Sequence, residues 1–216
     1  MAFPPRFKGH RILSIEASST STDEPLHTLE FYLDYVCPFS AKLFKTLTKS
    51  VIPYIRANPQ LASRVQFIFR QQIQPWHPSS TLVHEAALAV QRLAPDHFWS
   101  FSAVLFEHQA NYFDEKVVNE PRNATYARLA KLAAGAVPGL NEHEIYKLLE
   151  IKEAGAEGPK NQGNAVTNDV KTIVKMARLV GVHVTPTVVF NGVVAGEISS
   201  SWTEEQWAEW LEKNIV

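Results

Sequence analysis

The stretch FYLDYVCPFS, residues 31–40, changes its hydrophobic period in the middle. Up to Val36, apolar and polar side chains alternate, which is typical of a strand with one buried face. After Pro38, apolar residues recur at three- and four-residue steps as far as Ile55, which predicts an amphipathic helix that Pro53 should kink or break. Proline suits the first helical turn, because its missing N–H has no partner to lose there. The sequence therefore places Cys-Pro at a strand-to-helix junction.

The remaining patterns extend this junction into an α/β order of elements. The stretch VQFIFRQQI, residues 65–73, predicts a second strand, which we expect to run parallel to the first. Residues 79–153 carry only helical patterns. A further helix is predicted to end at Gly181, Asn191-Gly192 predicts a type I′ hairpin, and a capping box at Thr203 predicts the start of a last helix.

Composition excludes several classes of function. The chain has 216 residues with 21 basic and 22 acidic side chains, so it offers no general attraction for nucleic acid. No stretch approaches the roughly 20 apolar residues that span a bilayer, and the first 25 residues lack the apolar run of about 7 to 15 that a secretory signal needs. We therefore expect a cytoplasmic protein that has neither nucleic acid nor a membrane as its partner.

Cys37 is the only cysteine in the sequence, which rules out an intrachain disulfide, a cysteine zinc cluster and a dithiol redox cycle within one chain. At the start of a helix, unsatisfied N–H groups stabilise the thiolate, which is the reactive form. Ser40 lies one turn further on, where its hydroxyl is expected to donate to the sulfur, whereas an ionised Asp34 would oppose the thiolate. The alternative is that Cys37 is simply a small buried apolar residue.

Several parts of the chain together resemble the DsbA-like family, which carries a helical domain inserted into a thioredoxin fold. They are FYLDYVCPFS, PWHPSS (75–80) with FWSFSAVLF (98–106), VTPTVVFNG (184–192) and the acidic, Trp-rich final helix. The resemblance covers residues 27–214 and implies the fold class: α/β, a thioredoxin fold with an inserted helical domain. It divides the chain into an N-terminal extension (1–26), a thioredoxin-like core (27–78 and 160–216) and a helical insertion (79–159).

The resemblance also implies a site. Thr185-Pro186 matches the family's cis-proline loop, which offers its backbone to an extended peptide or to glutathione. Ser40 stands where dithiol members carry their second cysteine, so the chemistry implied is of the monothiol type, with Cys37 as nucleophile and another thiol such as glutathione releasing it. The candidate site comprises the catalytic residues Cys37 and Ser40 and the substrate-binding residues Pro38, Phe39, Trp76, His77, Thr185 and Pro186.

Two other functions stay open. The motif is also similar to the Ser-Pro-Tyr-Ser of kappa-class glutathione transferases and 2-hydroxychromene-2-carboxylate isomerases, which implies a glutathione-dependent transferase or isomerase of small electrophiles and a possible homodimer. The third hypothesis is a redox-inactive, peptide-binding module. Expected partners are glutathione, a small thiol or electrophile, or a protein thiol or disulfide; we expect no bound cofactor and, lacking a tight ligand spacing, no metal.

Histidines and aromatic side chains add weaker signals. His77, His84, His97 and His108 lie in or beside the insertion, and each is a candidate to orient a substrate or to act as general base; His77 is favoured because it follows a core strand. The aromatic side chains of this region either line a substrate groove or, the preferred interpretation, pack the insertion against the core: Trp76, Phe98, Trp99, Phe101, Phe106, Tyr112 and Phe113.

Overall fold

The computed structural model describes residues 4–13, 27–153, 158 and 160–215. Its centre is a mixed sheet formed by β1 (Arg11–Leu13), β2 (His27–Leu33), β3 (Val65–Gln71), β4 (Thr187–Phe190) and β5 (Val193–Val194). The strand order is β1-β3-β2-β4-β5, in which β2 and β3 are parallel and every other pairing is antiparallel. The parallel β2–β3 pair and the α/β class are confirmed.

Helices cover the sheet and form the insertion. They are α1 (Pro38–Thr46), α2 (Ile52–Ala57), α3 (Pro59–Ala62), α4 (Ser80–Leu93), α5 (Phe98–Glu107), α6 (Asp114–Val117), α7 (Arg122–Ala136), α8 (Glu142–Leu149), α9 (Thr167–Leu179) and α10 (Glu204–Asn214). A π-helical turn, Leu47–Val51, joins α1 to α2. Pro53 cannot donate to the carbonyl four residues earlier, and this wider turn accommodates its ring, so the helix continues past the predicted kink.

The two faces of the sheet differ in what covers them. Leu29, Phe31 and Leu33 point into the main core, where the Phe31 ring packs against Trp207 of α10. On the opposite face Tyr32 packs in a smaller apolar cluster that includes Ala177 of α9. The aromatic residues of the insertion are buried in the main core or packed against it, as the preferred interpretation predicted. Phe98, Phe101, Phe106 and Tyr112 are buried, and Trp99 and Phe113 are partly buried. Trp76, which precedes the insertion, is the exception because it is exposed.

The N-terminal extension predicted over residues 1–26 is partly integrated into the core. Pro5–His10 forms a 3₁₀ turn that buries Phe7 and His10, and β1 then pairs with the outer edge of β3. An uncovered edge would expose a row of unpaired N–H and C=O groups, and this segment satisfies them. The boundary of the core therefore lies earlier than residue 27, whereas residues 14–26 are outside the described residues.

The insertion is organised around α4. An uninterrupted buried stretch, Val83–Gln91, runs along this helix, and its three alanines allow neighbouring elements to approach closely. Residues 155–157 and 159 of the predicted Gly-rich linker, residues 155–164, lie outside the part of the chain that the structure describes. Across the helices that are described, none combines the length and the apolar character needed to cross a membrane.

The C-terminal elements follow their sequence signals closely. Gly181 ends α9 with a φ of 71°, a left-handed conformation that favours glycine. Asn191 and Gly192 have φ values of 49° and 85°, as a type I′ turn requires. Thr203 and Gln206 form the predicted reciprocal capping box at the start of α10. These elements hold β4, and with it the loop that precedes β4, against β2.

Candidate functional site

Cys37 lies at the N-cap of α1, where its extended backbone turns from the β2 loop into the helix. Its side chain is only 5% exposed, and Sγ lies 3.6 Å from the backbone carbonyl oxygen of Thr185. That distance suits a weak S–H···O hydrogen bond. The Thr185-Pro186 peptide bond is cis, which confirms the prediction for this loop. The fold thus brings together two predicted site segments that are 148 residues apart in the chain.

Ser40 is fully buried beneath the same turn. Its Oγ accepts a hydrogen bond of 3.2 Å from the backbone N–H of Asp34. Among the contacts of the described residues, none joins Ser40 to the sulfur of Cys37, so the predicted donation to Sγ is not made in this structure. The position of Ser40 instead closes the loop between β2 and α1, which fixes where the sulfur lies.

Asp34 is the centre of the polar network under this loop. Its Oδ1 accepts from the N–H of Val36 and from the hydroxyl of Ser80, both at 2.8 Å. Its Oδ2 accepts from the N–H of Gln74 at 2.9 Å and lies 3.0 Å from Nδ1 of His77. The carboxylate is fully buried, so these contacts replace the water that it has lost.

The charge of Asp34 follows from these contacts. Burial is the largest single influence and would raise its pKa, because a low dielectric disfavours the ionised form. The nearby His84 ring, the hydrogen bond from His77 and the Val36 N–H together outweigh burial and hold the pKa of Asp34 well below its usual range. A buried negative charge therefore lies beneath the loop that carries Cys37.

Gln74 joins the network to the cis-proline loop. With its amide oriented so that both ends are satisfied, the nitrogen donates to the carbonyl of His183 at 3.2 Å. The oxygen accepts from the backbone N–H of Thr185 at 2.8 Å and from its hydroxyl at 3.3 Å. Since the backbone N–H of Gln74 binds Asp34, one buried residue connects the cis-proline loop to the loop of Cys37.

The helical insertion also holds the Cys37 loop. Gln109, in the 3₁₀ turn after α5, donates through Nε2 to the carbonyl oxygen of Tyr35 at 2.9 Å and to that of Cys37 at 3.4 Å. These carbonyls belong to the turn in which β2 ends. Gln109 thus makes the position of Cys37 depend on the insertion as well as on the sheet.

Apolar side chains project from the segments that meet at Cys37. Phe39, Trp76 and Val184 are 63%, 60% and 57% exposed, and each belongs to a segment tied into the polar network. We call these three residues the apolar rim. Pro38 is exposed as well, and the His77 side chain keeps 20% exposure.

The four predicted histidines separate clearly. His77 contacts Asp34 directly, and fully buried His84 points Nε2 at Asp34 Oδ1 over 3.8 Å. No contact of the described chain connects His97 or His108 to this network.

Sequence reasoning treated Asp34 only as an opposing charge and missed Gln74 and Gln109. The polar run QQIQ directly after a buried strand was the available signal for Gln74. Within the described ranges, no three His, Cys, Asp or Glu side chains group as a metal site.

Comparisons with known proteins agree with this architecture. A family model described as thioredoxin matches residues 22–213. The chain therefore belongs to the thioredoxin family, and its form is the DsbA-like one. The comparison with curated proteins found no match.

Solved structures of bacterial proteins share the fold. A candidate protein-disulfide isomerase from Pseudomonas syringae is 22% identical with a TM-score of 0.69, covering 95% of this chain and 99% of its own. BdbD from Bacillus subtilis is 21% identical with a TM-score of 0.61, covering 96% and 93%. DsbA from Mycobacterium tuberculosis is 20% identical with a TM-score of 0.58, covering 94% and 90%. At these identities the likeness establishes the fold.

Proposed function

We propose that the protein is a monothiol thiol–disulfide oxidoreductase in which Cys37 is the nucleophile and glutathione is the cosubstrate. The observation that carries this proposal is the placement of Cys37 Sγ at a helix N-terminus, 3.6 Å from the carbonyl oxygen of the cis-proline loop. A helix N-terminus favours a thiolate, and the adjacent backbone edge gives an extended substrate a place to align. The resemblance to proteins named for disulfide chemistry supports the same class.

The reaction balances with one protein thiol and one external thiol. The Cys37 thiolate attacks the glutathione sulfur of a mixed disulfide, forms a Cys37–glutathione disulfide and releases the substrate thiolate. A second glutathione thiolate then attacks that disulfide, giving oxidised glutathione and free Cys37. Because Ser40 carries no thiol, no intramolecular step competes with the second attack. A reducing compartment such as the cytoplasm supplies the glutathione.

The apolar rim supports a polypeptide as the other half of the mixed disulfide. Phe39, Trp76 and Val184 expose apolar surface on the segments that meet at Cys37, whose own side chain is almost buried. A substrate must therefore bring its disulfide down to Cys37 while its flanking residues remain on the surface. We propose that Pro38, His77 and Thr185-Pro186 contact the extended segment next to that disulfide.

The test is the removal of glutathione from a glutathionylated peptide, followed by mass spectrometry. We expect turnover by the native protein with reduced glutathione, capture of a Cys37–glutathione adduct without it, and loss of both in Cys37→Ala. Cys37→Ser keeps the size of the side chain and serves as the matched variant. Activity that survives Cys37→Ser would favour a glutathione-dependent transferase or isomerase. Unchanged peptide binding by a native protein without turnover would favour a redox-inactive binding module.

A further inference from the structure

We propose that His77 is the proton-transfer residue of Cys37 and that Asp34 is its positioning residue. The inference rests on the proposed function and deepens it, because it assigns a path for the proton that disulfide exchange must move. It predicts that His77 speeds the reaction most for disulfides whose leaving thiols are poor leaving groups, as alkyl thiols of proteins and glutathione are. Nothing in the Cys-Pro-Phe-Ser motif itself supplies that step.

The contact between the two residues fixes which ring nitrogen of His77 faces Asp34. Oδ2 of Asp34 lies 3.0 Å from Nδ1 of His77. An ionised carboxylate only accepts hydrogen bonds, so Nδ1 is the donor toward Asp34 and Nε2 is the nitrogen left to exchange a proton. A carboxylate that orients a histidine in this way also stabilises the imidazolium once it forms. The ring retains 20% exposure, which leaves it accessible from the surface.

The second histidine at Asp34 is unsuited to this role. The Gln71 side-chain nitrogen lies 3.1 Å from the backbone carbonyl of His84 and 3.0 Å from its Nδ1, so it donates to both. Nδ1 is therefore the acceptor, and Nε2 carries the proton toward Asp34 at 3.8 Å. His84 has no exposed surface. Its ring is enclosed 3.8 Å from the carboxylate, whereas His77 keeps one side toward solvent.

The electrostatics of the loop call for such a residue. A buried carboxylate three positions before Cys37 opposes an isolated thiolate, because like charges repel in a low dielectric. Within the described parts of the chain, the charged or titratable groups that contact Asp34 are His77 and His84, and no lysine or arginine pairs with it. Moving the thiol proton to His77 creates a thiolate–imidazolium pair whose positive member lies against Asp34.

Hydrogen bonds tie Asp34 and His77 to the two loops that meet at the sulfur of Cys37. The backbone N–H of Cys37 donates to the carbonyl of Asp34 at 3.1 Å, which closes the turn that carries the nucleophile. On the other side Gln74 binds both Asp34 and Thr185, and the Thr185 carbonyl lies at Sγ. His77 follows Gln74 in a turn closed by its own N–H, which donates to the Gln74 carbonyl at 3.1 Å.

The proposed step conserves atoms and charge. Nε2 of His77 takes the proton of the Cys37 thiol, and the resulting thiolate attacks the glutathione sulfur of the mixed disulfide. The sulfur–sulfur bond of the substrate breaks, and its electron pair leaves with the substrate sulfur. The His77 imidazolium then gives its proton to that sulfur, so that a neutral thiol departs and neutral His77 is restored.

The experiment compares two leaving groups in the His77→Asn variant of the full chain. Asparagine keeps an N–H donor near the position of Nδ1, so the contact with Asp34 is retained while the basic Nε2 is lost. Single-turnover rates are measured with a glutathionylated alkyl peptide and with a glutathione–thionitrobenzoate disulfide, whose thiolate leaves without protonation. We expect roughly a 100-fold loss on the alkyl disulfide, at the low end of general acid–base contributions, and at most about a twofold loss on the aromatic one.

Controls separate this inference from the proposed function. His143→Gln changes an exposed histidine on α8 and should leave both rates unchanged. An equal loss on both disulfides would give His77 a merely structural role and overturn the inference, and no loss on either would overturn it as well. Either result leaves the Cys37 chemistry intact, since native protein would still react. A native protein inert toward both disulfides would instead refute the proposed function itself.

Discussion

Two buried carboxyl groups near the start of α4 have pKa values that are shifted in opposite directions. Asp34 contacts this helix through Ser80, and Glu85 belongs to it; both are almost completely inaccessible. Burial would raise the pKa of each. The pKa of Asp34 nevertheless lies well below its usual range, whereas that of Glu85 lies above its usual value.

The difference lies in the donors that each group receives. Two backbone N–H groups, a serine hydroxyl and a histidine surround the Asp34 carboxylate at 2.8 to 3.0 Å. Glu85 receives the hydroxyl of Tyr126, while Nη2 of half-exposed Arg122 lies 3.5 Å away. At the candidate site, the fixed donors thus lower the pKa of Asp34 by more than burial raises it. Inside the insertion, burial raises the pKa of Glu85 by more than its weaker donors lower it. The donors around Asp34 therefore favour its ionised form at the candidate site.

Replacing Asp34 with asparagine is expected to have the largest effect. Both carboxylate oxygens accept from donors, so the amide nitrogen of asparagine must face an N–H or O–H group whichever way it turns. We expect a loss of about 3 kcal/mol in the free energy of unfolding at pH 7, as is typical of breaking a buried charged network. Urea unfolding followed by circular dichroism measures it.

The pH dependence of this loss has a definite sign. A depressed pKa contributes stability that is present above the unfolded value of about 3.9 and is lost as the pH falls through the lower folded value. The difference in unfolding free energy between native protein and Asp34→Asn should therefore become smaller in strongly acidic buffer. A gap that stays constant from pH 7 to pH 3 and below would show that the carboxylate charge is not what stabilises the loop.

Removing a single donor should give a smaller effect of the same sign. Ser80→Ala deletes one hydroxyl that bonds the Asp34 carboxylate and keeps the helix start otherwise intact. We expect a loss of about 1.5 kcal/mol in unfolding free energy, the lower range for a hydrogen bond to a charged group. Ser100→Ala is the matched control, because its exposed hydroxyl bonds only the His97 carbonyl and should cost about 0.5 kcal/mol or less. Equal losses in both variants would contradict the donor argument.

The sequence predicted elements whose signals are local. The change of period at Cys37, the Gly181 helix end, the Asn191-Gly192 turn and the capping box at Thr203 are each encoded within a few residues, and each is confirmed. The cis-proline loop was identified through a resemblance between motifs. β1 was missed because three residues are too few to display a two-residue period.

The polar network could not be predicted in the same way. The donors of Asp34 include Gln74 and Ser80, which lie 40 and 46 positions along the chain. Gln109, which holds the Cys37 carbonyl, comes from the insertion 72 positions away. Nothing in local periodicity specifies which distant N–H will meet which oxygen, since that depends on how the β3–α4 connection and the insertion pack. The place of Cys37 at the start of a helix was therefore predictable from sequence, and the set of donors around Asp34 was not.

Glu85→Gln is the smallest of the expected changes, and its sign should be opposite to that of Asp34→Asn. A raised pKa contributes stability that is complete below the unfolded value and lost as the pH rises through the folded value. Glutamine resembles the protonated acid and can accept from the hydroxyl of Tyr126, so it removes the cost of burying an ionised carboxylate at this position. We expect the variant to unfold with a free energy up to about 1 kcal/mol higher than native protein at pH 7, and with little difference at pH 4. If Glu85→Gln lowered stability at pH 7 as Asp34→Asn does, both carboxyl groups would be stabilised as ions, and the number of donors would no longer explain why their pKa values shift in opposite directions.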